Sequence, residues 1–454
     1  MLYFSGVLMH IAVAFAAENA FSLHLASGDP RLLIRFRVEN FRSIHGEQEL
    51  SLVASPLSER QEALVHSDRY DLDLLRAAAI YGPNASGKST LVAALEFMKA
   101  AVENSHRKWA PDGGISRAPF ALAPAAAKEP SLFAVDLLLG GVRYEYGFVV
   151  DSSRVLEEWL FAYPKGRKQE WFTREAGREQ ELIFSRLLQG ENRTIAGLTR
   201  PNSLFLSAAA QNNHPMLDPI YRWFSSHLWI IDEQSRSGLE MVATQLCMNE
   251  PMRTAVQAFL EAADLGITDV DVIEEDFTSF AVRHNLGADD PDMREFPSRI
   301  GTGVQFRHRA DSTGAGVVLP FDQESQGTRA LFGLSGLILS VLQNGGVLVV
   351  DELDRSLHPH LALMIVGLFN TPAANPRNAQ LIFNTHDTNL LDRQLLRRDQ
   401  IWFTEKGDDG ATRLFPLTDY RARKYENVEQ GYLQGRYGAV PSVGTPGFLQ
   451  HLGS

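Results

Sequence analysis

The chain has 454 residues, of which 44% are hydrophobic and 22% charged, and its net charge at pH 7 is -12. This length and composition predict a soluble globular protein of two lobes with an ample core, and the acidic balance argues against a protein coated in nucleic acid, although it leaves room for a local basic groove. The single cysteine, Cys247, excludes an internal disulfide and a cysteine-based zinc site, and it fits a reducing cytoplasm.

The N-terminal segment has an unusual composition. Residues 1–17 contain no Lys, Arg, Asp or Glu, and the first arginine is Arg31. A secretory signal needs positive charge ahead of its apolar run, and a membrane span needs about 20 apolar residues. We therefore predict that residues 1–32 are a non-essential extension and that the folded protein begins near Leu33; a signal or anchor is the alternative.

The segment from 33 to 235 is predicted to contain strands around one long helix. LLIRFRVENFRSI and EQELSLVA alternate apolar and polar residues, which indicates two antiparallel strands. An apolar run, Leu74–Ile80, and a helical run, Leu91–Met98, follow. After a Pro- and Ala-rich connection, turn residues separate four strands of a meander: LFAVDLLL, GGVRYEYGFVV, VLEEWLFAY and QEWFTRE.

The remainder of the chain divides into an insertion, residues 236–315, and a C-terminal part, residues 316–454. The insertion begins with a helical segment, 236–263, and continues with short strands around Val270, Phe280 and Phe306. The C-terminal part alternates strands and helices and ends in a hairpin with a DG turn. Its predicted elements are the strand GVVLPF, a helix after ESQGT, the strand 346–350, the helix 361–369, the strand 380–384 and the hairpin IWFTEKGDDGATRLFPL.

A phosphate-binding loop is the clearest motif. The stretch YGPNASGKST, residues 81–90, contains Gly-x-x-x-x-Gly-Lys-Ser between a predicted strand and a predicted helix. Glycines let backbone N–H groups wrap the phosphates, and the helix N-terminus adds partial positive charge. Lys88 is expected to bind the phosphates, and Ser89 is expected to bind Mg²⁺. The predicted nucleotide-binding residues are Gly82, Asn84, Ala85, Ser86, Gly87, Lys88, Ser89 and Thr90.

An acidic pair follows the apolar strand 346–350. Asp351 and Glu352 lie where ligands bind in such folds, at the carboxyl edge of a parallel sheet. Asp351 is placed to hold Mg²⁺ through water, and Glu352 is placed to polarise the attacking water as general base. The sequence therefore favours nucleotide hydrolysis over simple binding.

Two further elements narrow the class of protein. His386 follows the strand 380–384, where a histidine can contact and sense a γ-phosphate, so we predict a catalytic role for it. In ESQGT, Ser325 and Gly327 open a helix and can present a hydroxyl and N–H groups to a phosphate. Because the chain already has its own phosphate loop, this second helix end predicts a site that serves the nucleotide of another subunit.

This order of motifs resembles the ATP-binding-cassette (ABC) ATPases, specifically the SMC, RecF and OLD-like branch. Residues 82–89 are similar to the Walker A loop, ESQGT to a degenerate signature motif, VLVVDE to Walker B, DRSLHP to the D-loop and His386 to the switch histidine. The resemblance implies an α/β P-loop ATPase head with a mixed β-sheet core, an antiparallel β-subdomain and a helical or irregular insertion. It also implies ATP and Mg²⁺ as cofactors.

Two residues are assigned more loosely. Gln211, predicted to follow a strand in LFLSAAAQNN, is similar to the Q-loop glutamine that contacts Mg²⁺ and water, although a capping or surface glutamine fits it equally well. Arg42, in NFRSI, is a further residue predicted to reach the nucleotide.

NFRSI, DELDRSLHP, NTHD and the ending GYLQGRYGAVP resemble the stand-alone ATPases of bacterial abortive-infection and phage-defence operons, of the RloA, AbiL and PARIS kinds. This resemblance implies a cytoplasmic, ATP-gated sensor and scaffold that self-associates and controls a separately encoded effector. Only 68 residues follow His386, too few for a Toprim-like nuclease, so a nuclease or toxin is expected to be a separate protein. The alternative is a RecF-like ATPase in DNA repair, for which the basic stretch 393–398 is the candidate DNA contact.

Overall fold

The computed structural model describes residues 30–276, 300–309, 316–420 and 427–440. The strand predicted around Phe280 lies outside these ranges. The largest sheet in the described residues is antiparallel, with the order β10-β9-β8-β7-β6-β1-β2, and it contains the predicted meander. Its strands are β1 (Arg31–Glu39), β2 (Gln48–Ser51), β6 (Ser131–Leu139), β7 (Val142–Val150), β8 (Val155–Tyr163), β9 (Gln169–Glu175) and β10 (Leu182–Phe184).

The second sheet has the order β11-β15-β16-β5-β17-β18 and is parallel apart from the antiparallel β18. Its central strands are buried along their whole length, as continuous apolar runs in parallel sheets are. The predicted mixed sheet is thus confirmed, while the sequence reading missed β11. The strands are β5 (Ala77–Tyr81), β11 (Leu228–Ile231), β15 (Val347–Val350), β16 (Gln380–Asn384), β17 (Ile401–Lys406) and β18 (Thr412–Pro416).

The remaining elements are two small sheets and the helices. The small sheets pair β3 (Leu64–Ser67) with β4 (Leu72–Leu75), and β12 (Ile267–Asp276) with β13 (Ile300–His308) and β14 (Val317–Pro320). The α-helices are α1 (Lys88–Asn104), α2 (Asn192–Leu198), α3 (Phe205–Gln211), α4 (Asp218–Arg222), α5 (Arg236–Cys247), α6 (Glu250–Ala262), α7 (Gln326–Asn344), α8 (Pro359–Asn370) and α9 (Val428–Leu433).

The parallel sheet forms the middle layer of the core because alternate side chains of its strands enter two different clusters. Val347 and Val349 of β15 pack with α1 and the antiparallel sheet. Leu348 and Val350 pack on the opposite face, with helices α5 to α8. Strand side chains alternate between faces, so both faces of this sheet are covered and its carboxyl edge is left to bind ligands.

The structure adds detail at two predicted boundaries. Helices α5 and α6 of the predicted insertion, 236–315, share a core cluster with α7, and β14, which begins at Val317, completes the sheet of β12 and β13. Near the predicted start at Leu33, Arg31 already pairs with Leu139 in the first sheet, and the Leu32 side chain is fully buried.

We expect a chain that starts at Leu33 to be less stable than one that starts at Pro30. It loses the buried side chain of Leu32 and the first paired residue of β1, and burial of one leucine contributes about 2 kcal/mol. The measurement is the urea midpoint of the two chains, and equal midpoints would show that Arg31 and Leu32 contribute nothing to the fold.

Candidate functional site

The phosphate-binding motif forms the loop between β5 and α1, as its sequence predicts. Gly82 and Gly87 have φ angles of 157° and 107°, which favour glycine, and Asn84 and Ala85 lie exposed at the rim. Helix α1 begins at Lys88, and the glycine before it has no side chain to cover the first N–H groups of the helix. The loop therefore presents backbone donors and a helix N-terminus, the arrangement that binds phosphate.

The lysine of this loop is held inside it. Lys88 is buried, and its Nζ donates to the carbonyl oxygens of Gly82 at 2.7 Å and Pro83 at 3.1 Å. Burial lowers the pKa of Lys88, whereas the nearby carboxylates of Glu352 and Asp351 act in the opposite direction. The ammonium group therefore lies between the loop and the acidic pair.

Hydroxyl groups from the C-terminal hairpin support the loop, and the sequence reading missed them. The Oγ of Ser86 lies 2.6 Å from Oγ1 of Thr404 on β17, and Thr412 of β18 donates to the carbonyl of Ser86 at 2.9 Å. Ser43 bridges the Oγ1 atoms of Thr90, at 2.9 Å, and Thr412, at 2.8 Å. In the sequence these residues are only one threonine in each strand of the hairpin. Such a threonine does not reveal a contact with a residue about 320 positions earlier in the chain.

The acidic pair follows β15, as predicted. Strands β15, β16 and β5 are adjacent and parallel, so their carboxyl ends meet at one edge. Ser89 Oγ donates to Asp351 Oδ1 at 3.0 Å, which joins the loop directly to the pair. Asn384, the last residue of β16, donates to the same Asp351 oxygen and accepts from the Glu352 N–H at 2.6 Å.

The residues of this edge fit a magnesium ion. Mg²⁺ prefers oxygen ligands, keeps several waters and is often bound by one or two carboxylates together with substrate phosphates. The Ser89 hydroxyl and the Asp351 carboxylate are such donors, lie within hydrogen-bonding distance of each other and stand beside the phosphate loop. They are the residues that would hold the ion between the protein and a nucleotide.

The histidine predicted as a sensor lies at the same edge. His386 follows β16 by two residues and is an exposed residue, and its backbone N–H donates to Asp354 Oδ1 at 3.4 Å. Burial of part of the ring and the charge of Lys88 lower the pKa of His386, although Asp354 and Glu352 oppose the shift. A lowered pKa favours the neutral imidazole at pH 7, which both donates and accepts a hydrogen bond.

The second predicted phosphate site opens α7. Ser325 is the N-cap of this helix, where its exposed side chain accepts from the Thr328 N–H at 3.1 Å. Gly327 approaches the carbonyl of Ser356 in the loop after the acidic pair, and a Cβ added there would lie 3.1 Å from that oxygen. Neither described contact involves the phosphate loop of the same chain.

Gln211 does not follow a strand as predicted. It ends helix α3, because FLSAAAQ is made mostly of helix formers, and its contact with Mg²⁺ stays a prediction. It also bonds to Tyr221, which faces Glu103 and Arg107 near the far end of α1, and a helix of 17 residues is roughly 25 Å long. Gln234, by contrast, lies three residues beyond the end of β11, the strand that pairs in parallel with β15.

Arg42 stays a prediction. It is exposed, has a φ of 49° and precedes Ser43, which contacts the first turn of α1, so it lies beside the loop.

The basic stretch 393–398 is engaged within the protein. Arg393 and Arg398 pair with Glu59 at 3.2 and 2.7 Å, and the fully buried Arg397 pairs with Asp399 at 2.7 Å. The pairs with Glu59 hold the stretch against the segment before β3. The charges of these three arginines are therefore paired within the protein.

The geometry defines a P-loop nucleotide-binding protein whose phosphate loop faces an acidic pair across a parallel sheet edge. The chain matches the family described as "AAA domain, putative AbiEii toxin, Type IV TA system" over residues 77–392, and it belongs to this family. The predicted resemblance to the stand-alone ATPases of the abortive-infection kind is thereby confirmed. No curated protein matches the chain.

Solved structures of SMC heads are similar in fold at low identity. A head bound to the C-terminal winged-helix domain of ScpA has a TM-score of 0.43 at 12% identity and covers 85% of this chain and 97% of its own. The SMC head of Thermotoga maritima has a TM-score of 0.39 at 12% identity, with coverages of 85% and 98%. The Pyrococcus furiosus head with ScpA has a TM-score of 0.38 at 11% identity, with coverages of 85% and 96%.

In the residues that the structure describes, no helix is both long and apolar enough to cross a membrane.

Proposed function

We propose that the protein binds and hydrolyses ATP with Mg²⁺ in the cytoplasm. The observation that carries the proposal is the 3.0 Å hydrogen bond from Ser89 to Asp351, which joins the phosphate loop to the acidic edge. When bound, Mg²⁺ would neutralise charge on the phosphates. Lys88 and the loop N–H groups bind the phosphates, Glu352 accepts a proton from the attacking water, and His386 contacts the terminal phosphate.

The proposal extends to self-association. Ser325 and Gly327 open a helix whose end is exposed and makes its described contacts away from the phosphate loop of its own chain. A second chain placed against the first would bring this helix end to the γ-phosphate of the first chain. ATP would then be held between two subunits, and each site would need residues from both.

The proposal also includes a biological role, the control of an effector. ATP that joins two subunits can gate a scaffold which restrains or releases a separately encoded effector, a nuclease or toxin of the abortive-infection kind. The family match supports this role, while the ion-paired stretch 393–398 argues against the RecF-like alternative at the place where DNA contact was predicted.

The test is a pull-down from cells that express the native operon. Glu352→Gln is expected to keep ATP bound and to retain the effector, whereas Lys88→Ala is expected to retain much less. Recovery of DNA in place of a protein, sensitive to nuclease treatment, would favour the repair ATPase and contradict the effector role.

A further inference from the structure

The turn that carries the acidic pair is bonded from both neighbouring strands. On the β16 side, Asn384 accepts from the N–H groups of Glu352 at 2.6 Å and Leu353 at 3.0 Å. On the β11 side, Nη2 of Arg236 donates to the carbonyl of Asp351 at 2.8 Å and to that of Glu352 at 2.6 Å. Four backbone groups of the turn are therefore fixed by two side chains and one strand end.

The turn needs such support because Glu352 has a left-handed backbone. Its φ is 54°, a region in which a residue with a Cβ atom is strained by roughly 1–3 kcal/mol. Strain of this kind persists only where the surroundings hold the conformation. Since φ and ψ set the direction of the Cα–Cβ bond, loss of the bonds to its peptide groups would redirect the Glu352 carboxylate.

Arg236 is itself well placed to hold the turn. It begins helix α5 directly after a tight turn in which Ser235 N–H donates to Asp232 Oδ1 at 2.7 Å and Asp232 N–H donates to Ser235 Oγ at 2.9 Å. The helix packs closely on α7, because a Cβ on Gly336 would lie 3.0 Å from the Cα of Ala243. The backbone that carries the half-buried Arg236 is thus held by the turn before α5 and by the packing of α5 on α7.

We propose that Arg236 is a positioning residue for hydrolysis: by holding the carbonyl groups of Asp351 and Glu352, it keeps the Glu352 carboxylate directed at the attacking water. The inference rests on the proposed role of Glu352 as general base. Arg236 acts through Glu352, so its loss should slow the chemical step and leave the phosphate contacts of Lys88 and Ser89 in place.

The experiment compares Arg236→Gln with the wild-type protein and with Arg253→Gln. Gln is too short to reach both carbonyls. Arg253 is a control because it pairs with Glu250 within the same helix, α6, away from the acidic turn. Arg236→Gln is expected to lower kcat by about tenfold or more while the Kd for ATP stays within about threefold of the wild-type value. Arg253→Gln is expected to keep both values, and Arg236→Lys, which retains a donor, to recover part of kcat.

A double-mutant cycle separates positioning from a general loss of structure. In the Glu352→Gln background, the change of Arg236 to Gln should cost little further, because the group it positions is gone. Three results would each overturn the inference. They are a double mutant whose loss of kcat is the product of the two single losses, a wild-type kcat in Arg236→Gln, and an equal loss of kcat and ATP affinity. If Arg236→Gln does not fold, Arg236→Met, which retains the aliphatic stem, takes its place with the same expectations. An inactive wild-type protein would instead count against the proposed hydrolysis itself.

Discussion

Lys88→Ala is expected to weaken ATP binding by about 100-fold or more. The Lys88 ammonium is buried beside the loop and donates to the carbonyls of Gly82 and Pro83, within the field of the acidic pair. When a phosphate binds in the loop, its charged oxygens would replace these carbonyls as acceptors of the Lys88 hydrogen bonds. Loss of two charge-assisted hydrogen bonds costs roughly 3 kcal/mol or more, which corresponds to about a 100-fold weaker affinity.

Calorimetry with ATP and Mg²⁺ measures this effect. The matched control is Lys168→Ala, which removes the same side chain and charge from the turn between β8 and β9. There the Nζ of Lys168 lies 3.4 Å from the centroid of the Phe161 ring. The control should bind ATP as the wild-type protein does. Retained affinity in Lys88→Ala would show that the loop is not the working nucleotide site.

Glu352→Gln is expected to bind ATP and to hydrolyse it very slowly. Removal of a general base typically costs about 10²–10⁴-fold in rate, whereas the loop that binds the phosphates is untouched. If the α7 helix end completes the site of a second chain, the trapped nucleotide stabilises the associated state by mass action. Light scattering should then show a larger mass for Glu352→Gln with ATP and Mg²⁺ than without them.

The residue at the proposed shared surface is tested by adding Ser325→Arg to that variant. The change places bulk and charge at the partner's γ-phosphate, so ATP-dependent association should disappear while each subunit stays folded. Ser325 also caps α7, and loss of a cap costs about 1 kcal/mol, so the thermal midpoint must be measured beside the mass. Ser325→Asp keeps the cap but repels phosphate, and it should also lose association.

Mixing two inactive chains gives a further check. A dimer of one Lys88→Ala chain and one Ser325→Arg chain contains one doubly altered site and one intact site, so some hydrolysis should return. A mass that is independent of ATP, together with an unchanged ATPase rate in Ser325→Arg, would contradict the shared site.

The local motifs were predictable because their information is contiguous. A glycine-rich loop between an apolar strand and a helix predicts its own conformation, and an apolar run such as residues 346–350 predicts a buried strand that ends at an acidic pair. The turn residues that separate the strands of the meander likewise predicted four antiparallel strands. These features depend on neighbours within about 20 residues, which the sequence displays directly.

Some features depended on which distant segments meet, and only the tertiary structure decided those. Helix formers in residues 205–211 predict a helix, yet only the tertiary structure brings Gln211 at its end to Tyr221. Arg236 and Thr412 look like ordinary polar residues in the sequence. Their roles follow from β11 and β18 taking their places in the parallel sheet, which brings Arg236 to the backbone of Glu352 and Thr412 to the phosphate loop. The physical reason is that strand order in a sheet is set by the packing of both faces, which no single stretch of sequence encodes.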